Sequence, residues 1–159
     1  MKKKYEIAER NGMVTFIDRG KTLYRIRALR DIPSIGVKAG DLGGFIESED
    51  NLSHKGDCWV SGRACVLDTA NVCDNAFVYD NAYVSGNAIV CGNACVSGCV
   101  CDNAIVCGDA RVGDNAFVCG YSYICGNADF YDYACDDDWV CDAECEDEED
   151  DEDEWPYYE

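Results

Sequence analysis

An all-β parallel β-solenoid of about four coils, with a small N-terminal β cap and an acidic C-terminal tail, is the fold this sequence predicts. Three observations predict it. Alanine recurs every six residues at Ala64, Ala70, Ala76, Ala82, Ala88 and Ala94. Valine follows two places later each time, at Val66, Val72, Val78, Val84, Val90 and Val96. Turn pairs fill the gap before the next alanine: Asp74-Asn75, Asp80-Asn81, Gly86-Asn87 and Gly92-Asn93.

Side chains one residue apart in a strand share a side, so each Ala/Val pair faces inward and the residues between face out. Gly, Asp and Asn tolerate the backbone of a tight corner. Each unit is therefore a short two-sided strand followed by a corner. Stacked at about 4.8 Å, the coils join their Ala/Val pairs into one continuous core. A core of Ala, Val and Cys also suits a composition that is 48% apolar yet holds only five Phe and two Met.

After Val96 the repeat slips, because only Ser97 separates it from Gly98 and no turn pair intervenes. A tight or bulged corner at Ser97-Gly98 is expected, with the core running on through Val100, Val106, Val112, Val118, Ile124 and Phe130. Allowing for that slip, Cys73, Cys91, Cys107 and Cys125 fall at one outward position of successive coils, beside Asn71, Ile89, Ile105 and Tyr123. A second face carries Cys65, Tyr83, Cys99, Phe117 and Cys135, next to Leu67, Ser85, Cys101, Cys119 and Asp137. A third carries Trp59, Phe77, Cys95, Arg111 and Asp129, next to Ser61, Tyr79, Ser97, Gly113 and Tyr131.

Three segments follow: residues 1–56 as the N-terminal β cap, 57–135 as the β-helix, and 136–159 as an acidic, flexible tail. Lys21 to Arg30 alternates Tyr24, Ile26 and Ala28 against Arg25 and Arg27, the pattern of a strand with one basic side. Phe45-Ile46 begins the first incomplete coil. An open solenoid end leaves unpaired strand edges, so a cap is required there.

Leu23 to Asp31, then Gly40-Asp41-Leu42-Gly43-Gly44-Phe45-Ile46-Glu47-Ser48-Glu49 and Asn51-Leu52-Ser53-His54, lead into the repeats. Over roughly residues 20–130 the chain resembles hexapeptide-repeat left-handed β-helix proteins, in particular uncharacterised bacterial and phage-borne members often labelled putative transferases. That resemblance implies a left-handed coil of triangular section. The outward cysteines and the acidic tail depart from the family pattern.

Net charge is −19, and its layout narrows the function. Residues 1–50 carry ten Lys/Arg against eight Asp/Glu, residues 51–135 three against nine, and residues 136–159 none against fifteen. Phosphates repel such a surface, so direct nucleic-acid binding is not expected, whereas a protein partner with a basic surface is. The candidate partner-binding residues are Asp136, Asp137, Asp138, Glu144, Glu146, Asp147, Glu148, Glu149 and Asp150, with Trp155, Tyr157 and Tyr158 as aromatic anchors. The tail reads either as a solubilising cover for the open end or as a mimic of a phosphate backbone. No run of eighteen apolar residues crosses a membrane, and the basic start has no apolar stretch behind it to make a signal peptide. A reducing cytoplasm is expected, with the cysteines as thiols.

Catalysis finds little support in the residues. Hexapeptide-repeat acyltransferases typically use a histidine in a cleft between subunits, and this chain has one, His54, without the long loop that walls the acyl-donor site in such enzymes. His54 is the catalytic candidate if the chain is an acyltransferase; otherwise it belongs to the cap. No cofactor is expected. Ladder cysteines point in parallel, so no structural metal site is expected, and their side-chain directions also suit disulfides poorly. Threonine occurs only at positions 15, 22 and 69, which closes the ice-binding version of the fold. Ile89, Cys91, Ile105, Cys107, Tyr123 and Cys125 form an apolar strip, and such strips mark interfaces. Self-association as a homo-dimer or homo-trimer is expected through it. The overall expectation is a non-catalytic binding or inhibitory protein that occupies a basic, nucleic-acid-binding surface of a host protein. The phage-borne relatives point to a CRISPR or other defence component as its target. An acyltransferase and a self-assembling structural solenoid are the alternatives.

Overall fold

A computed structural model describes residues 2–8, 15–18 and 20–142. Among them the chain is a parallel β-solenoid of about five turns with almost no helix, only the 3-10 turns Pro33–Ile35 and Glu49–Asn51. No helix among these residues is long and apolar enough to cross a membrane.

Every turn visits three sheets. Face one stacks Cys65–Val66, Tyr83–Val84, Cys99–Val100, Phe117–Val118 and Tyr133–Ala134. Face two stacks Asn71–Val72, Ile89–Val90, Ile105–Val106, Tyr123–Gly126 and Trp139–Asp142. Face three stacks Trp59–Val60, Phe77–Val78, Cys95–Val96, Arg111–Val112 and Asp129–Phe130. The inward pairs behave as alternation requires. Val72, Val90, Val106 and Ile124 are wholly buried, as are Ala88, Ala94 and Ala104. Burying each Val or Ile contributes roughly 1.5–3 kcal/mol, so the core is the sum of many small, equal terms. Adjacent turns are tied by backbone bonds such as Phe77 N–H to the Ala94 carbonyl, 2.8 Å, and Tyr79 N–H to the Val96 carbonyl, 2.9 Å.

The corners explain the Gly/Asp alternation. Asp68, Asp74 and Asp102 hold left-handed φ values of 57–58°, a region that Asp enters more readily than most side chains. Each reaches the next turn, where its carboxylate accepts the N–H of Gly86, Gly92 or Gly120 at 2.9–3.0 Å. Glycine is needed in those partner positions, since a Cβ on Gly92 meets the Gly108 backbone nitrogen at 2.9 Å. The tight corner at Ser97-Gly98 is present and the core passes through it, with Gly98 so close to the turn beyond that a Cβ meets the Gly113 carbonyl at 2.3 Å.

Four expectations are corrected. The solenoid has about five turns, not four, because Trp139–Asp142 forms a strand against Tyr123–Gly126. On face one it is Tyr133, not Cys135, that pairs with Phe117. Tyr131-Asp132 is a second corner without a turn pair, which moves the register by two residues and takes Asp137 out of the column assigned to it. Cys135 consequently lies one turn beyond Cys119, with Cα atoms 4.8 Å apart, and the two form a disulfide rather than remaining thiols. In the cap, Leu23 is buried and Tyr24 is exposed. A bulge between Arg25 and Arg27 shifts the alternation there, so the strand does not keep one apolar side throughout.

The cap continues face one. Strands β1 (Tyr5–Ile7), β2 (Thr15–Asp18), β3 (Lys21–Ala28) and β4 (Leu42–Ile46) join it, β1 and β2 antiparallel to β3, β3 antiparallel to β4, and β4 parallel to Cys65–Val66. Buried Asn51 locks cap to coil. Its Oδ1 accepts the N–H groups of Glu47 and Ser48, and its Nδ2 donates to the Asp68 and Ala70 carbonyls.

Candidate functional site

Face two carries the residues expected to self-associate. Ile89 is exposed, Cys91, Ile105, Cys107 and Tyr123 are half-buried, and Cys125 is nearly buried. The register brings them into two neighbouring columns, with Trp139 extending the aromatic end. The rings of Tyr123 and Trp139 lie 5.0 Å apart. The Tyr123 hydroxyl and Cys107 Sγ are hydrogen-bonded at 3.2 Å. That hydrogen bond, and then burial, push the Tyr123 pKa up. At the first corner of this column the ligand atoms of Cys73, Asp74 and Cys91 lie within 4.8 Å of one another. Burial, and next the nearby sulfurs and Asp74, raise the Cys91 thiol to about 12; burial likewise raises Cys73. Parallel ladders leave neighbouring sulfurs a strand spacing apart, which sequence reasoning took as a bar to convergence. The corner removes that bar by turning Asp74 toward them.

The missing corner at Ser97-Gly98 opens a notch of about 450 Å³ lined by Gly62, Arg63, Asp80, Asn81, Ser97, Asp114 and Asn115. Tyr79, Arg111 and Tyr131 border it. Its two carboxylates face two guanidinium-bearing residues, so it is polar without a strong net sign. The lost turn pair was legible in the sequence; the hollow it leaves was not.

His54 sits at the base under the cap. Its Nδ1 accepts the Lys4 backbone N–H at 3.2 Å, and its ring stacks on Tyr5 at 4.2 Å. Its Nε2 faces Glu49 Oε1 at 3.6 Å. Burial lowers its pKa, with Glu49 opposing that shift and Lys3 and Lys4 reinforcing it. Beside it, buried Lys4 donates to Cys58 Sγ at 3.1 Å and the Gly56 carbonyl at 3.3 Å. Burial pushes the Lys4 pKa down and the Cys58 pKa up, the mutual attraction of the pair working against both shifts. Sequence reasoning missed this pair, because its partners are 54 residues apart and neither belongs to a motif.

His54 is thus positioned to hold the cap closed, and the sign of its pH effect follows. Its folded pKa lies below the unfolded value of about 6.5, so the unfolded chain binds the extra proton first as pH falls. The stability this group contributes is expected to be complete above that value and to be lost as pH falls from about 6.5 towards about 5.5. In His54→Gln the urea midpoint should decline less over the same interval; an equal decline in both proteins would overturn the assignment.

Asp136, Asp137 and Asp138 are exposed at the last described corner, where Asp138 Oδ2 accepts the Cys135 N–H at 2.9 Å. Glu144, Glu146, Asp147, Glu148, Glu149, Asp150, Trp155, Tyr157 and Tyr158 lie outside the described residues. No protein-family model matches this sequence, and no curated protein shows significant similarity to it.

Proposed function

We propose that this chain is a non-catalytic binding protein that uses its acidic surface and tail to occupy a basic, nucleic-acid-binding surface of another protein. The carrying observation is charge layout: fifteen of the thirty-two Asp/Glu residues fall in positions 136–159, which hold no Lys or Arg. Exposed Asp74, Asp80, Asp102, Asp109 and Asp114 continue the same sign along the corners. They fall on different corners of the coil, with glycine on the turns next to Asp74 and Asp102, and so spread a rigid acidic surface that complements a basic partner. In this reading the coil is left-handed and triangular in section, of hexapeptide-repeat type and phage-derived. It acts in the host cytoplasm on a CRISPR or other defence component. The Ile89–Tyr123 strip of face two pairs copies into a dimer or trimer.

The test immobilises the full chain and passes over it lysate from a bacterium carrying such a system. Mass spectrometry of the retained proteins should find basic nucleic-acid-binding proteins, and duplex DNA should release them. Retention of neutral or acidic proteins that DNA leaves bound would sink the reading. Specific binding of acyl-coenzyme A, lost in His54→Ala, would favour the acyltransferase instead.

A further inference from the structure

We propose that the corner formed by Cys73, Asp74 and Cys91 is a binding site for a soft monovalent d10 metal ion, with copper(I) as its probe, extended along face two by Cys107. The proposal is independent of the partner-binding reading.

The geometry selects the class of ion. Sulfur to metal distances are about 2.3 Å, so two sulfurs on opposite sides of one ion stand up to about 4.6 Å apart. Stacked strands repeat at about 4.7–4.9 Å, which is nearly that span. The Cys73 and Cys91 sulfurs and an Asp74 oxygen lie within 4.8 Å of one another. An ion between successive rungs therefore reaches two sulfurs with little backbone movement. A tetrahedral zinc site needs four converging ligands, and a flat column of rungs converges poorly beyond two or three.

The chemistry selects the same class. Thiolates favour copper(I) over hard ions, which prefer oxygen and keep their water. Ile89 stands beside Cys91 and Asn71 beside Cys73 on the outer wall, so the site is open for an ion to enter from solvent. Asp74 adds a negative charge, and the bond from the Gly92 N–H to its Oδ2 at 3.0 Å fixes the carboxylate in place. On binding, each ligating thiol releases its proton to solvent and its sulfur lone pair forms the bond to the ion. No electron is transferred.

Cys91 is central, because it neighbours both Cys73 and Cys107 in the stack. Removing an outer partner of a metal ligand costs roughly 10–100-fold in affinity, so loss of this ligand is expected to cost on the order of 100-fold or more. The experiment adds copper(I), as its acetonitrile complex under argon, to the reduced full-length protein in competition with a chromophoric copper(I) chelator. Wild-type protein should withdraw at least one ion per chain from the chelator. Cys91→Ser and, separately, Cys73→Ser should lose that ion while keeping the wild-type circular dichroism spectrum. Cys95→Ser, on face three, should retain it. Equal binding by Cys91→Ser and wild type would overturn the proposal. So would equal loss in Cys95→Ser, or tighter retention of zinc than of copper(I).

Discussion

A chain ending at Asp142 is expected to keep the wild-type melting temperature and to associate with a Lys/Arg-rich peptide roughly 10- to 1000-fold more slowly at low salt, the range by which electrostatic steering changes on-rates. Residues 143–159 hold eleven Asp/Glu and no Lys/Arg, so the cut takes the net charge from −19 to −8. The difference should shrink as salt screens the tail, since the Debye length falls from about 30 Å at 0.01 M to about 8 Å at 0.15 M. Stopped-flow mixing at both salt concentrations reads both effects. Unchanged association at low salt would remove the tail from the recognition surface. The place of the cut matters. A chain ending at Asp136 also loses Trp139–Asp142, the strand that covers Tyr123–Gly126, and with it the ring contact between Tyr123 and Trp139. That shorter chain is expected to melt earlier, so its loss of binding alone says nothing about the tail.

Legibility in the sequence followed locality. The Ala/Val pairs and the face assignments up to Phe130 were readable because each unit repeats its neighbour, and repeats on both sides of Ser97-Gly98 pinned the register across that defect. Tyr131-Asp132 is the same defect, but too few regular units follow it to reveal the shift. The errors at Cys135 and in the number of turns share that origin, as does the unforeseen disulfide with Cys119. The bulge in β3 was hidden for another reason: Leu23, Tyr24, Ile26 and Ala28 suit a strand in either phase, and pairing with β4 decides which side chain turns in. At the site, outward cysteine columns came directly from alternation. The approach of Asp74 to Cys73 and Cys91 depends on a left-handed residue at the corner, with φ of 57° at Asp74, which periodicity does not encode. Lys4 on Cys58 joins the chain start to the first turn, a contact no repeat foretells.

Val90→Asp is expected to abolish folding at 25 °C, whereas Ile89→Asp, one residue earlier, should change the stability of the single, unassociated chain by under about 1 kcal/mol. Val90 is wholly buried between Val72 and Val106 of the adjacent turns, while Ile89 is 38% exposed on the outer wall. An unpaired carboxylate inside the core costs several kcal/mol even after relaxation, and the lost valine adds roughly 1.5–3 kcal/mol. Together these consume most of the 5–15 kcal/mol that holds a typical domain together. Position sharpens the effect. Each turn of a solenoid touches only its neighbours, so a broken middle turn leaves two short stacks with raw ends. Urea denaturation followed by circular dichroism separates the two variants. Similar midpoints for both would mean that inward and outward positions are not distinct, and the columns of face two, with the metal site and the self-association strip drawn from them, would fall together.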